Sequence, residues 1–288
     1  MNIIVPTFAL LTKVLDPRHT IILRDWLEFL TIPPQELIIY MLDTEDVYQS
    51  VDALCTEFQL TWKPVFTAPD DDLANNETHV LLRMVKQVES EYLLFINLDT
   101  LPYRQGVEEE AWLQDVFAQM VGNDQFVFFS GCGVIFRDDK KLDALGNYLQ
   151  TQRFSNNFGL LRKDFWMLAM QNHSLDQAEQ LGVYRFHSEW ALEEEFRQKN
   201  LFGLRRVETL NWRVFHVQQW GDRLFKTRDL FQRGVGIKRY LNRVHEDVIH
   251  RLDYHYNYPQ PSLVRRITIW VGQHRRSVWS RLQYLIKV

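Results

Sequence analysis

The sequence predicts an α/β fold: a mostly parallel central sheet with helices on both faces, followed by a helical C-terminal extension. Three observations predict it. Apolar strand-like runs alternate with helix-period segments over the first hundred residues. The run "YLLFIN" (92–97) is apolar up to its last residue, as expected of a strand covered on both faces. Finally, 288 residues at 46% hydrophobic content can bury a large core.

Taken in order, "NIIVPTF" (2–8) reads as a strand and "TIILRDWLEFL" (20–30) as an amphipathic helix. "LIIYMLD" (37–43) is a strand ending in Asp43, "VYQSVDALCTEF" (47–58) a helix, and "KPVFTAP" (63–69) a short strand closed by Pro69. "HVLLRMVKQVES" (79–90) is a third helix before "YLLFINLD" (92–99), and a Pro-containing turn is expected after Asp99. Three βα units in succession imply crossover connections and a parallel, doubly wound sheet. Beyond Asp99, "EEEAWLQDVFAQMV" (108–121) reads as a helix with its acids in the first turn. "QFVFFSGCGVIF" (125–136) gives one or two strands interrupted by Gly131 and Gly133. "RFSNNFGLLRKDFWMLAM" (153–170) is a polar loop leading into a helix, and "SEWALEEEFRQKN" (188–200) an acidic helix. "LRRVET" and "RVFHVQQW" are short strands, and residues 221–288 read as helical, Arg-rich and aromatic.

Composition narrows the class. Cys55 and Cys132 are too few and too far apart for a disulfide framework or a zinc site, which favours a reducing compartment with both packed as small apolar residues. No apolar run reaches the length of a membrane span, and the N-terminus lacks the basic region and cleavage site of a signal peptide, so a cytoplasmic chain is expected. The net charge of −4 hides an asymmetry: from Gly221 onward there are 14 Lys/Arg against 5 Asp/Glu. Such polarity fits a basic face for phosphate or an anionic surface, or equally a solvated helical face.

Ligands of open α/β sheets bind at the carboxyl ends of strands, so Asn97 and Asp99 at the end of the most apolar strand are candidate functional residues. Several motifs around them resemble the glycosyltransferase A-type (GT-A) fold, in particular its large family-2-like group. They are "VPTF" with Pro6, Thr7 and Phe8; "YMLDT" with Asp43; "LLFINLDT" with Asn97-Leu98-Asp99 in place of Asp-x-Asp; "SNNFGLLRKDF" as an acceptor loop; and "SEWALEEEFRQKNL". In the last, Glu189 stands where the group has its catalytic Asp and Ser188 where it has Glu.

The resemblance spans residues 1–220. It implies a GT-A domain there, with residues 1–103 as the nucleotide-sugar half and 104–220 as the acceptor half, and 221–288 as a basic helical extension. It also implies transfer of a sugar from a nucleotide-diphospho-sugar, UDP-linked in the favoured case, to a glycan or lipid-linked glycan acceptor. Mn²⁺ or Mg²⁺ would be held by Asp99 with His216, and Asn97 would supply a neutral carbonyl. Pro6, Thr7, Phe8 and Asp43 would lie against the nucleotide, and Glu189 would act as general base, inverting the anomeric centre.

Simpler roles exist for each residue. Asp99 can cap a turn through "TLPY", Glu189 can be a first-turn acid behind an N-cap Ser188, and His216 can be a structural histidine. Glu193, Glu194 and Glu195 read as a solvated face, as does the acidic run Asp70–Asp71–Asp72, and Trp190, Trp212 and Trp220 as core. A rival from another class is a catalytically degenerate GT-A-like binding protein. It would act through "LVRRITIWVGQHRRSVWSRLQYLIKV" (263–288), whose apolar stripe flanked by arginines fits peripheral contact with an anionic membrane. No nucleic-acid-binding motif is present, and "VPTFALL" lacks the Gly-rich loop of a nucleotidyltransferase.

Overall fold

The computed structural model describes residues 6–68, 71, 77–104, 111–131, 139–142, 148–206, 212–217 and 221–233. Compactness divides the chain into Met1–Leu252 and Asp253–Val288, and every described residue lies in the first unit. The Arg-rich segment 263–288, Cys132, Trp220, Asp70 and Asp72 lie outside the described residues.

The alternation foreseen for the first hundred residues is present: β1 (Phe8–Val14), α1 (His19–Phe29), β2 (Glu36–Met41), α2 (Glu45–Glu57), β3 (Trp62–Phe66), α3 (Thr78–Val85) and β4 (Tyr92–Ile96). There follow β5 (Thr100–Arg104), α4 (Trp112–Val121), β6 (Phe126–Ser130), β7 (Lys140–Lys141), β8 (Tyr148–Thr151), β9 (Phe158–Arg162) and α5 (Lys163–Asn172). The chain continues through α6 (Leu175–Gln180), a 3₁₀ turn at Tyr184–Phe186, α7 (His187–Gln198), β10 (Phe202–Arg206), β11 (Trp212–His216) and α8 (Asp222–Gln232).

The main sheet has the order β3-β2-β1-β4-β9-β6-β10-β8-β7. Strands β1 to β4 pair in parallel, and only β8 and β9 run against the common direction. Because side chains alternate across a strand, each strand feeds two cores. On one face Phe8, Leu10, Ile39 and Leu94 pack with Trp26 of α1, Val51 of α2 and Trp112 of α4. On the other, Leu11, Ile38 and Phe95 pack with Val80 of α3, Trp166 of α5 and Leu192 of α7. The result is a three-layer α/β/α fold with α8 as a helical extension.

Several local expectations are corrected. Residues 2–5 of the strand expected over "NIIVPTF" lie outside the described residues; β1 as described is "FALLTKV", with Pro6 and Thr7 before it and the apolar run continuing to Val14. The turn expected through "TLPY" is strand β5, which among the described residues pairs with β11 in a separate two-stranded sheet. The loop expected before α5 contains β9, inserted antiparallel between β4 and β6. Helix α6, with its Ser174–Gln177 capping box, was not foreseen. Cys55 is a buried free thiol, as expected, and burial pushes its pKa up to about 12.

Candidate active site

The chain runs β1→β2→β3 in one direction across the sheet, then returns to the other side of β1 as β4. The carboxyl ends of β1 and β4 therefore flank a topological switch point, where open α/β sheets leave a crevice. Both ends carry polar residues. Thr12 and Lys13 lie near the end of β1, with Asp16 in the turn beyond it and His19 at the start of α1, and Asn97 and Asp99 follow β4.

A chain of hydrogen bonds organises the β4 end. The backbone turns sharply, with Thr100 N–H donating to Asn97 O at 2.9 Å, so that Asp99 is 4% exposed. Strand β11 brings His216 opposite Thr100, and His216 Nε2 lies 3.0 Å from Asp99 Oδ2. A carboxylate only accepts, so Nε2 carries the proton of this contact. Asn157 Nδ2 approaches His216 Nδ1 at 3.4 Å, and Asn97 Nδ2 donates to Asn157 Oδ1 at 3.0 Å. One acceptor at each end remains, Asp99 Oδ1 and Asn97 Oδ1, both buried and without a partner among the described residues.

The preceding residue, Asn156, organises a second cluster. Its backbone N–H donates to Glu189 Oε1 at 2.8 Å, and its Nδ2 donates to Ser188 Oγ at 2.8 Å and reaches Glu77 Oε1 at 3.4 Å. Glu77 in turn pairs with Lys13. Removal from water pushes the Glu189 carboxyl up to about 7, and the charges of Glu77 and Glu193 add to the rise; the hydrogen bonds from Asn156 and Ser155 oppose it. His187 locks the start of α7 in place: its Nε2 donates to His173 O at 2.7 Å and its Nδ1 lies 3.2 Å from Thr78 Oγ1 at the start of α3. Burial lowers its pKa, so it is neutral and makes both bonds at pH 7.

The structure thus brings together Asn97, Asp99 and His216 and joins them, through consecutive Asn156 and Asn157, to Glu189. Their Cα atoms are about 3.8 Å apart. Asp43 is exposed in the β2–α2 connection, on the same edge of the sheet but two strands away, about 10 Å along the sheet. Pro6, Thr7 and Phe8 lie at the amino end of β1, about 20 Å along the strand from the crevice. There Phe8 is fully buried, its N–H donates to Gln35 Oε1, and Thr7 Oγ1 accepts from Glu91 N–H. These contacts tie the amino ends of the strands together, away from Asn97 and Asp99.

Other simpler roles are revised. Ser188 is not the N-cap, since α7 begins at His187. Glu195 is 1% exposed and accepts from Asn172, and Glu193 pairs with Arg153 at 2.7 Å, so neither belongs to a solvated face. Asp71 is likewise enclosed, accepting from Tyr40 Oη at 2.8 Å and pairing with Arg83. Trp212 is core, packed on Phe29 and Trp112, whereas Trp190 is partly buried beside His173 and His187. Sequence reasoning missed Lys13, His19, Glu77, Asn156, Asn157 and His187. The "SNN" triplet was visible as a loop, but nothing local marks which chemistry its asparagines serve.

Whether these residues fit a divalent cation can be tested on the orphaned oxygen. Asp99 Oδ1 offers one buried carboxylate oxygen, and His216 can be a second ligand once its Nε2 proton is displaced. Among the described residues no group of three or more His, Cys, Asp or Glu converges on one point. Two protein ligands fit Mg²⁺ or Mn²⁺ that takes its remaining oxygens from phosphate and water.

No family model matches the chain, and no curated protein matches it. Among solved structures, a UDP-glucose pyrophosphorylase complexed with UDP-glucose superposes with a TM-score of 0.54 at 7% identity, over 78% of this chain and 98% of its own. A mannosyltransferase from Pyrobaculum calidifontis, in complex with GDP-Man and Mn²⁺, shares 13% identity over 57% of this chain with a TM-score of 0.41. The match spans 47% of that mannosyltransferase's length. The likeness to the pyrophosphorylase concerns the fold alone. It places the chain in the GT-A, Rossmann-like class of α/β architectures, in agreement with the fold read from the sequence.

Proposed function

We propose that the chain is a glycosyltransferase that moves a sugar from a nucleotide-diphospho-sugar to an acceptor hydroxyl with inversion. One observation carries the reading. At the switch point of a GT-A sheet, consecutive asparagines join a partly buried carboxyl with a pKa of about 7 to a cluster with an unpartnered carboxylate oxygen. A general base works best when its pKa lies near the working pH, which Glu189 satisfies and an exposed carboxylate does not. In the transfer, the acceptor oxygen forms a bond to the anomeric carbon as the bond to the diphosphate oxygen breaks. The acceptor proton goes to Glu189 and the bonding electron pair leaves with the diphosphate. Attack from the face opposite the diphosphate inverts the centre. Asp99 and His216 would hold Mn²⁺ or Mg²⁺, which when bound offsets charge developing on the leaving diphosphate. Before a cation binds, His216 Nε2–H would hold the Asp99 carboxylate in place.

Incubation with UDP- and GDP-sugars and a hydroxyl acceptor, with and without Mn²⁺, tests this through release of nucleoside diphosphate as the sugar passes to the acceptor. Glu189→Gln should keep donor affinity and lower kcat by roughly two to four orders of magnitude. Wild-type kcat/KM should rise with pH through about 7 as the carboxyl ionises. Turnover by Glu189→Gln at the wild-type rate, or a product with retained configuration, refutes the base. A second reading, a GT-A-like domain that binds the donor without turnover, is favoured by Asn97, a neutral amide where the resemblance has an acid. Donor binding with no release under any metal would select it.

A further inference from the structure

The ion pair of Lys13 and Glu77 takes no part in the transfer described above, yet it ends on the same asparagine as Glu189. The segments that meet there are the end of β1 with Lys13, Glu77 just before α3, the loop before β9 with Asn156, and the first turn of α7 with Ser188 and Glu189. Every amide proton of Asn156 goes into this junction. Its backbone N–H donates to Glu189 Oε1 at 2.8 Å, and its Nδ2 donates to Ser188 Oγ at 2.8 Å and reaches Glu77 Oε1 at 3.4 Å. Glu77 presents its other oxygen, Oε2, to Lys13 Nζ. The Lys13 side chain is 11% exposed and that of Glu77 22%, so water and salt screen their charges only weakly.

We propose that Lys13 and Glu77 are positioning residues for the proposed base Glu189: an ion pair held one asparagine away, whose two members act on its proton with opposite signs. The proposal deepens the glycosyltransferase reading and rests on it only for the role of Glu189. Negative charge on Glu77 disfavours a second negative charge on Glu189, and the cation on Lys13 offsets part of that effect. The other charges around Glu189 are already matched. Glu193, one turn further along α7, is paired with Arg153. From α5, His173 faces Glu195, and His187 is neutral with both ring nitrogens bonded. An ion pair that served only to staple β1 to the start of α3 would move the Glu189 proton in neither direction.

Carbon-13 NMR of the full chain, with glutamate labelled at its carboxyl carbon, follows the ionisation of Glu189 without ligand or turnover. The resonance missing from Glu189→Gln assigns it. Glu77→Gln keeps an oxygen for Asn156 and removes the charge, so the Glu189 midpoint should move to lower pH by roughly 0.5–1. Lys13→Met removes the opposing cation and should move the midpoint to higher pH. The double variant leaves no unpaired charge behind, and its midpoint should fall between those of Glu77→Gln and wild type. Glu77 outweighs Lys13 there because Glu77 shares Asn156 with Glu189, whereas Lys13 reaches it only through Glu77. If either single variant fails to fold, the double variant decides alone: a midpoint below that of wild type supports the proposal and an unchanged one overturns it. The proposal is also overturned if the midpoint stays in place in both single variants, or moves the same way in both. In a turnover assay the pH profile of kcat/KM should move with the resonance. Shifted resonances in a chain that consumes no donor retain this inference and lose the transfer reaction. A chain whose turnover needs Glu189 but whose midpoint ignores both charges does the reverse.

Discussion

Glu189 lies in the first turn of α7, where the helix dipole favours a negative charge by about 0.3–1 kcal/mol. Its pKa nevertheless rises from 4.5 to about 7, a difference on the order of 3 kcal/mol, because removal from water outweighs the dipole and the hydrogen bond from Asn156. A carboxyl with a raised folded pKa binds its proton more tightly in the folded state. Its contribution to stability is therefore complete below about 4.5 and is lost as pH rises through about 7. Glu189→Gln should remove that dependence, so chemical denaturation should find the variant at least as stable as wild type at pH 8. A variant less stable there at every pH would mean the carboxylate is paired rather than strained. Asp99 is buried, with one oxygen bonded to His216 and the other without a partner among the described residues. Asp99→Ala should weaken Mn²⁺-dependent binding of UDP or GDP by about 2–5 kcal/mol in calorimetry. Equal affinities for variant and wild type, with the metal present, would leave Asp99 no part in holding a cation.

At the scale of the element, the site depends on how β9 enters the sheet. Gly159 in β9 has no room for a side chain: a Cβ there would meet the Phe154 ring and Ser155 O, each at 2.6 Å. That close approach folds residues 155–157 back so that Asn156 faces α7 and Asn157 faces β11. Gly159→Ala should cost about 1–3 kcal/mol of stability through forced repacking and should displace both asparagines. A urea titration measures the first effect, and kcat at a temperature where the variant is fully folded measures the second. Unchanged values for both would mean that the approach is not needed. The elements around this point were also the hardest to read from sequence. β9 looks like a loop because "SNN" precedes it and α5 begins without a break, and β5 looks like a turn because of Pro102. In contrast, β2 and β4 were plain, since strands buried on both faces leave continuous apolar runs.

At the scale of the whole molecule, α8 is anchored across α1 by polar contacts. Arg228 pairs with Asp25 at 2.6 Å, Arg18 with Asp222 at 2.7 Å, and Arg18 lies 4.6 Å from the centre of the Phe225 ring. No helix among the described residues is long and apolar enough to cross a membrane. The Arg-rich stretch 263–288 lies beyond them, and its proposed role is contact with an anionic surface, each basic residue contributing about 1 kcal/mol near it. The full chain should co-sediment with phosphatidylserine vesicles at low salt and be released at high salt. Arg265→Glu together with Arg276→Glu should abolish that binding without altering the melting temperature. If wild type stays in the supernatant at every salt concentration, the segment has no membrane role.

The sequence by itself determined the class of fold, the order of β1 to β4 with their helices, and the suspicion that falls on Asn97, Asp99, His216 and Glu189. These are readable because burial periodicity and polar residues at strand ends are local signals. Only the tertiary structure decided which residues share a site. It placed Pro6, Thr7 and Phe8 at the far end of β1, because strand direction and boundary, not motif order, set which end faces the crevice. It also revealed Lys13, Glu77, Asn156 and Asn157, whose partners lie up to 79 residues away in the chain. Contacts of that separation form only when the sheet brings strand ends together, and no local pattern encodes them.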